Sequence, residues 1–267
     1  MELTTNTILI TGGTSGFGFE LATRLIVLGN TVIITGRDQA KLNETKRLLP
    51  GIHIFQSDVS DPKAIEQLYT QVVTQFPELN FLINNAGIMR KISLHDTSID
   101  LLDITKEIDI NLAGPIRMVQ QFLPHLKTKQ KAAILNVTSG LALIPFPLSP
   151  IYGATKAGLR SYTKSLRVQL KNTHTKVFEL VAPASGTPLS NAFAGEEGFN
   201  TNMLMPPGKL IDVAIKGLQN DTLEIYPGMA KALRFMSRLA PGFLLKQMSK
   251  AGAKFYSPHP LPPLHAV

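Results

Sequence analysis

Over the first two thirds of the chain, two periodicities alternate. Short β-branched apolar runs occur at Thr7–Thr11, Thr31–Thr35, Ile52–Gln56, Phe81–Asn84, Ala133–Val137 and Lys176–Val181. Longer amphipathic stretches separate them at Phe17–Leu28, Gln39–Leu49, Pro62–Phe76, Leu101–Leu126 and Tyr152–Lys171. Strands that are apolar on both sides need cover on both sides, and helices between consecutive strands supply it. Right-handed crossovers then wind the sheet outward from its middle in both directions.

The expected fold is α/β: a single Rossmann-like domain with a doubly wound parallel sheet in a three-layer α/β/α sandwich. The strand order is 3-2-1-4-5-6-7, the last strand falling at Leu223–Tyr226. The domain runs over residues 1–255 and includes a loop at about 184–208, rich in Gly, Pro and Ser and without a period. Such a loop is more often functional than idle. A proline-rich tail follows at 256–267.

Composition removes several classes of chemistry. With no cysteine, the chain has no disulfide, thiolate metal site or cysteine nucleophile. The six histidines are scattered with no i, i+4 pair, so no metal is expected. The net charge of +8 is spread along the sequence without a basic run, which fits an enzyme that binds a polyanion better than a nucleic-acid binder. The start of the chain has no signal pattern and no apolar run reaches the roughly 18 residues of a spanning helix. A cytoplasmic protein without stable membrane insertion is expected.

The first strand ends in Thr11-Gly12-Gly13-Thr14-Ser15-Gly16-Phe17-Gly18, and a helix follows at once. A helix N-terminus at a strand's carboxyl end presents free N–H groups to a phosphate. Gly12 permits the tight turn, Gly16 the approach of a pyrophosphate and Gly18 close helix packing, while Thr14 and Ser15 add hydroxyls. A ligand-free glycine turn is the alternative. The second strand ends in Gly36-Arg37 where a carboxylate would accept ribose hydroxyls. Arg37 can instead bind a 2′-phosphate bidentately, which favours NADP(H) over NAD(H). A solvated loop arginine is the alternative, and Asp38 next door would blunt its field.

Tyr152 and Lys156 stand at i, i+4, on one face of a helix. A free phenol, with pKa near 10, exchanges protons poorly at neutral pH, and a nearby ammonium is expected to lower that pKa. Ser139 lies at the end of the fifth strand, where ligands bind in open α/β sheets.

Taken together, the glycine turn, the Asn84-Asn85-Ala86-Gly87 turn, Asn111, Ser139, Tyr152 and Lys156 resemble the short-chain dehydrogenase/reductase family in its compact single-domain branch. Thr-Gly-Arg at 35–37 and Val-Thr-Ser-Gly-Leu-Ala at 137–142 are similar to a bacterial subgroup named after an oxidoreductase encoded with teichoic-acid D-alanylation genes. The likeness is good to about residue 190 and thin beyond it.

The resemblance implies Asn111, Ser139, Tyr152 and Lys156 as the catalytic set, with Tyr152 as proton donor and acceptor and a water-borne proton path near Asn111. It implies Asp58 and Val59 at the adenine, Asn85 and Gly87 near the adenosine ribose, and Thr187 at the nicotinamide. For Asp58 a capping turn is the alternative. Where the family has Pro-Gly, this chain has Pro183-Ala184.

The expected function is NADP(H)-dependent hydride transfer with a small carbonyl or alcohol substrate, in a homodimer or homotetramer contacting through the helices at 101–126 and 152–171. The alternative is a nucleotide-sensing or scaffold protein without turnover. Such proteins often lose the tyrosine or lysine, and both are present here.

Ile88–Leu101, with Arg90 and Lys91, and Leu141–Pro150 are expected to border the substrate pocket. Packing beneath a loop would equally explain the apolar residues of the second segment. Basic and apolar residues mingle over Met229–Lys250, interrupted by Pro241-Gly242. That suits a covering helix pair or subunit contact, with a membrane-surface helix as the other option.

Overall fold

Each apolar run becomes a strand: β1 (Thr7–Thr11), β2 (Thr31–Gly36), β3 (His53–Gln56), β4 (Leu79–Asn84), β5 (Ala132–Ser139), β6 (Thr175–Ala182) and β7 (Glu224–Ile225). In the computed structural model, which describes residues 1–197 and 201–257, they form one parallel sheet in the order β3-β2-β1-β4-β5-β6-β7. This is the expected order.

Alternation within the strands divides the core in two. Ile8, Ile10, Val32, Ile34, Phe81 and Ile83 point to one face, and Leu9, Ile33, Leu82 and Ile134 to the other. Helices α1 (Gly16–Val27) and α2 (Gln39–Leu48) cover the first face, and α3 (Pro62–Gln75) lies on the second. The Leu101–Leu126 stretch is a helix in two parts, α4 (Leu101–Ile108) and α5 (Gly114–Leu126), joined by a π-helical turn at Asp109–Ala113 that contains Asn111. Helices α5 and α6 (Pro150–Gln169) complete the second face.

The structure corrects the expectation of a loop over 184–208. The described residues of this segment include α7 (Pro188–Asn191), and a parallel bridge joins Ser185 to Met205. Helix α8 (Pro207–Gln219) begins inside it and buries Leu210, Ile211, Ala214 and Leu218 against the first face. Proline at its start and Gly208 disguised that helix as loop, although Pro is well suited to a first helical turn. Residues 198–200, and the tail from 258 on, lie outside the described residues.

The Met229–Lys250 stretch forms a helix pair, α9 (Ala230–Leu239) and α10 (Pro241–Met248), over the carboxyl end of the sheet. There a third small cluster gathers Phe146, Leu148, Phe193 and Ala251. No helix among the described residues is long and apolar enough to cross a membrane.

Candidate active site

The chain reverses its winding between β1 and β4, and the loops leaving these strands form the floor of a crevice. Gly12 and Gly16 have φ of +67° and +53°, a region that disfavours other residues. A Cβ on Gly18 would lie 2.2 Å from the Gly12 carbonyl oxygen and 2.6 Å from Asn85 Nδ2. A Cβ on Gly13, which the motif reading passed over, would lie 2.3 Å from Ile34 Cγ2. Asn85 Nδ2 donates to the Thr11 and Gly12 carbonyls at 3.0 and 2.9 Å, and Thr11 Oγ1 accepts from the Asn85 and Ala86 amides. Asn85 therefore locks the two loops together.

Helix α1 starts at Gly16 with no side-chain cap from Ser15 and no acidic residue in its first turn. Its first amides and positive dipole end are thus suited to an anion. A Cβ on Gly16 would meet only Thr187, at 3.6 Å, so the turn and the segment after β6 face each other closely.

Arg37 is exposed at the end of β2, and Asp38 accepts from the Lys41 amide at 3.1 Å as the cap of α2. Thr14 Cγ2 would lie 3.4 Å from a Cβ on Gly36, so the strand end and glycine turn adjoin. Asp58 Oδ1 accepts from Ser60 N and Oγ at 2.9 and 2.7 Å, while Asp61 caps α3. Val59 packs under Gly114, where a Cβ would sit 2.9 Å from the Val59 oxygen.

Ser139 closes β5, and its Oγ accepts from the Leu141 amide at 3.1 Å. Tyr152 and Lys156 lie on α6, both buried on its inner face. Tyr152 and Ser139 both face the same cavity. Lys156 Nζ donates to the Val137 carbonyl at 3.0 Å and lies 5.7 Å from the Tyr152 ring centre.

Burial outweighs the expected help of the ammonium to the phenol. It pushes the Tyr152 pKa up to about 12, the nearby Ser139 side chain opposing and the Glu107 carboxylate adding to the rise. Burial also brings Lys156 down to about 8. Glu107, missed in the sequence, is itself buried, and its Oε1 accepts from the Arg90 amide at 3.0 Å.

Asn111 is fully buried. Its Nδ2 donates to the Ile88 carbonyl and to Thr155 Oγ1 at 2.8 and 3.2 Å, and its Oδ1 accepts from the Ile88 amide at 2.9 Å. The side chain clamps the loop after β4 onto α6. A Cβ on Gly87 would lie 3.2 Å from Asn111 Oδ1 and 3.5 Å from Lys156 Nζ, so the three adjoin.

Above these groups is a cavity of about 380 Å³. Phe17, Asn85, Gly87, Ser139, Tyr152, Lys156 and Thr187 face it, and its outer wall is apolar: Leu141, Ile144, Phe146, Phe193, Leu204 and Leu233. Lys156 is the sole charged side chain among the described residues of the lining. Both readings of the 141–150 segment hold in part, since Leu148 packs instead beneath Gly252.

Arg90 and Lys91 do not border the cavity as expected. Arg90 donates to the Asp103 carboxylate and Lys91 to Glu196, each at 2.6 Å, so neighbouring acids hold both outside it. The wall residues Phe193, Leu204, Leu233 and Met248 had no sequence signal beyond their hydrophobicity.

Deeper in α6, Arg160 Nη1 lies 2.8 Å from both Glu179 carboxylate oxygens, and Thr138 Oγ1 donates to Glu179 at 2.7 Å. This pair fastens the helix carrying Tyr152 and Lys156 to the strands carrying Ser139 and Ala182.

A phenol, a hydroxyl and an amine thus face one cavity, near a helix N-terminus without a side-chain cap. The description "short chain dehydrogenase" matches residues 6–197, and the chain belongs to that family. It is 39% identical over 249 residues to the uncharacterized oxidoreductase DltE of Bacillus subtilis, covering 93% of this chain and 98% of that one. Two solved structures share the fold at TM-score 0.78 and 21% identity: a short chain dehydrogenase/reductase of Burkholderia phymatum in complex with NAD, and a short chain dehydrogenase of Burkholderia cenocepacia in complex with NADP. The first covers 89% of this chain and 95% of its own, the second 93% and 99%.

Proposed function

We propose that the chain is an NADP(H)-dependent reductase of apolar, uncharged carbonyl compounds, or the corresponding alcohol dehydrogenase. The observation that carries this is Tyr152 facing one apolar cavity together with Ser139, one helical turn from Lys156. The glycine turn suits a dinucleotide because α1 begins there with uncapped amides and no acidic residue in its first turn.

Gly12, Thr14, Ser15, Gly16, Phe17 and Gly18 would hold the pyrophosphate, and Arg37 the 2′-phosphate. Asp58 and Val59 would hold the adenine, Asn85 and Gly87 the adenosine ribose, Lys156 the nicotinamide ribose and Thr187 the carboxamide. When bound, the nicotinamide supplies or accepts the hydride.

Ser139 and Tyr152 bind the substrate oxygen, and Tyr152 gives it a proton in the reducing direction. Lys156 stabilises the phenolate left behind and returns the proton. Asn111 keeps α6 and the loop after β4 in register. The catalytic unit is the single domain, with the segment at about 184–208 as its substrate loop. Exposed Leu101 and Leu102 on α4 and Val168 on α6 support assembly into dimers or tetramers through these helices.

Among the described wall residues Lys156 is the only cation, so a substrate carboxylate would be poorly partnered there, which is costly. The test is NADPH absorbance with neutral ketones, quinones and keto acids of matched length. Neutral compounds are expected to be reduced faster. NADPH binding without turnover on any of them would favour a non-catalytic nucleotide sensor.

Two further outcomes are expected. Arg37→Ala weakens NADPH by about ten- to a hundredfold, the loss of a charge-assisted hydrogen bond, and leaves NADH nearly unchanged in fluorescence titration. Equal weakening of both would remove Arg37 from the 2′-phosphate. For pH, Tyr152 stays protonated well above neutrality, whereas Lys156 loses its charge as pH rises through about 8. The kcat for reduction is therefore level on the acid side of about 8 and falls on the alkaline side. A profile that rises there would contradict the role of Lys156.

A further inference from the structure

Helices α9 and α10 have an outer surface for which the proposed reaction has no use. Their inner sides roof the cavity through Leu233, Gln247 and Met248. Outward, Lys231, Phe235, Arg238 and Leu239 follow an i, i+4, i+7, i+8 spacing, one face of α9. Leu239 is 80% exposed, and Phe243, at the start of α10, is 56% exposed.

From Ile225 onward the sequence contains no Asp or Glu but six basic residues: Lys231, Arg234, Arg238, Lys246, Lys250 and Lys254. Arg234 stacks on Tyr226 near Glu224, and Lys254 pairs with Glu197. Lys231, Arg238, Lys246 and Lys250 meet no carboxylate among the described residues. Large apolar side chains at a helix corner, flanked by unneutralised cations, are the pattern of a helix that lies in a bilayer interface. A second copy docked face to face would bring the same cations together.

We propose that this face docks reversibly on an anionic lipid bilayer. Leu239 and Phe243 enter the headgroup boundary, and Lys231, Arg238, Lys246 and Lys250 lie against the lipid phosphates. Attraction to such a surface falls off within a Debye length, so docking needs these side chains close to it. The docked bilayer lies against the roof of the apolar cavity.

The test is co-sedimentation of the full chain with vesicles of phosphatidylcholine alone or mixed with phosphatidylglycerol. Binding is expected only to the anionic vesicles, with release in high salt. Substituting Lys231→Gln, Arg238→Gln and Lys246→Gln together should lower that affinity about a hundredfold, each cation being worth about fivefold. Substituting Leu239→Ser and Phe243→Ser should lower it about tenfold or more, through the loss of two apolar anchors.

NADPH binding by both variants serves as the folding control and is independent of vesicle binding, so the two proposals fail separately. No binding to anionic vesicles in low salt would overturn the proposal. So would equal binding to neutral vesicles, or substitutions that change self-association and leave vesicle binding unchanged.

Discussion

Tyr152→Phe is expected to lower turnover of a neutral ketone by about 10²–10⁴-fold, the usual contribution of a general acid, with NADPH affinity nearly unchanged. The substitution keeps the ring, which fills the base of the cavity beside Lys156 and packs on the inner face of α6. It removes only the hydroxyl. Ser139 Oγ still accepts from the Leu141 amide, so no buried group is left without a partner. Fluorescence titration checks binding, and NADPH absorbance checks turnover. Full turnover in the variant would move the proton donor elsewhere.

Arg160→Met is expected to have the largest effect on stability. Arg160 is about nine-tenths buried and Glu179 wholly so, and removing one partner of such a pair costs about 3–5 kcal/mol. In a domain of this size that lowers Tm by roughly 10 °C. The methionine fills much of the same volume, so the loss reflects the stranded carboxylate. Burial already raises the Glu179 pKa, and losing the guanidinium raises it further. A carboxyl whose pKa is raised by folding favours the folded state at low pH and disfavours it as pH rises through that value. The variant's deficit is therefore smaller in mildly acidic than in neutral buffer, as urea unfolding at both would show. Because the pair ties α6 to β6, kcat should also fall, although Arg160 does not face the cavity. An unchanged Tm would mean that Glu179 was already neutral.

Signals carried by contiguous residues were legible in the sequence. The seven strands, the glycine turn and the Tyr152–Lys156 spacing each depend on neighbours a few positions apart, and each falls where the pattern puts it. Groups assembled from distant segments were not. Phe193, Leu204, Leu233 and Met248 converge on the cavity from different elements after Pro183, and each alone reads as ordinary core. Gly13 has a packing role visible only once Ile34 stands beside it. Glu107, inside a helix, resembles a solvated acid until the Arg90 amide closes on it. The sign of the Tyr152 shift was also hidden, because spacing conveys the nearness of an ammonium and says nothing of how little water reaches either group.

The measurement that tests the central claim most directly is a crystal structure of the complex with NADP+ and an unreactive analogue of an apolar ketone. The account predicts the pyrophosphate against Gly12–Gly18 and the analogue's oxygen within hydrogen-bond reach of both Ser139 and Tyr152, about 2.6–3.2 Å. An oxygen bound away from Tyr152, or a dinucleotide held outside the crevice between β1 and β4, would contradict it.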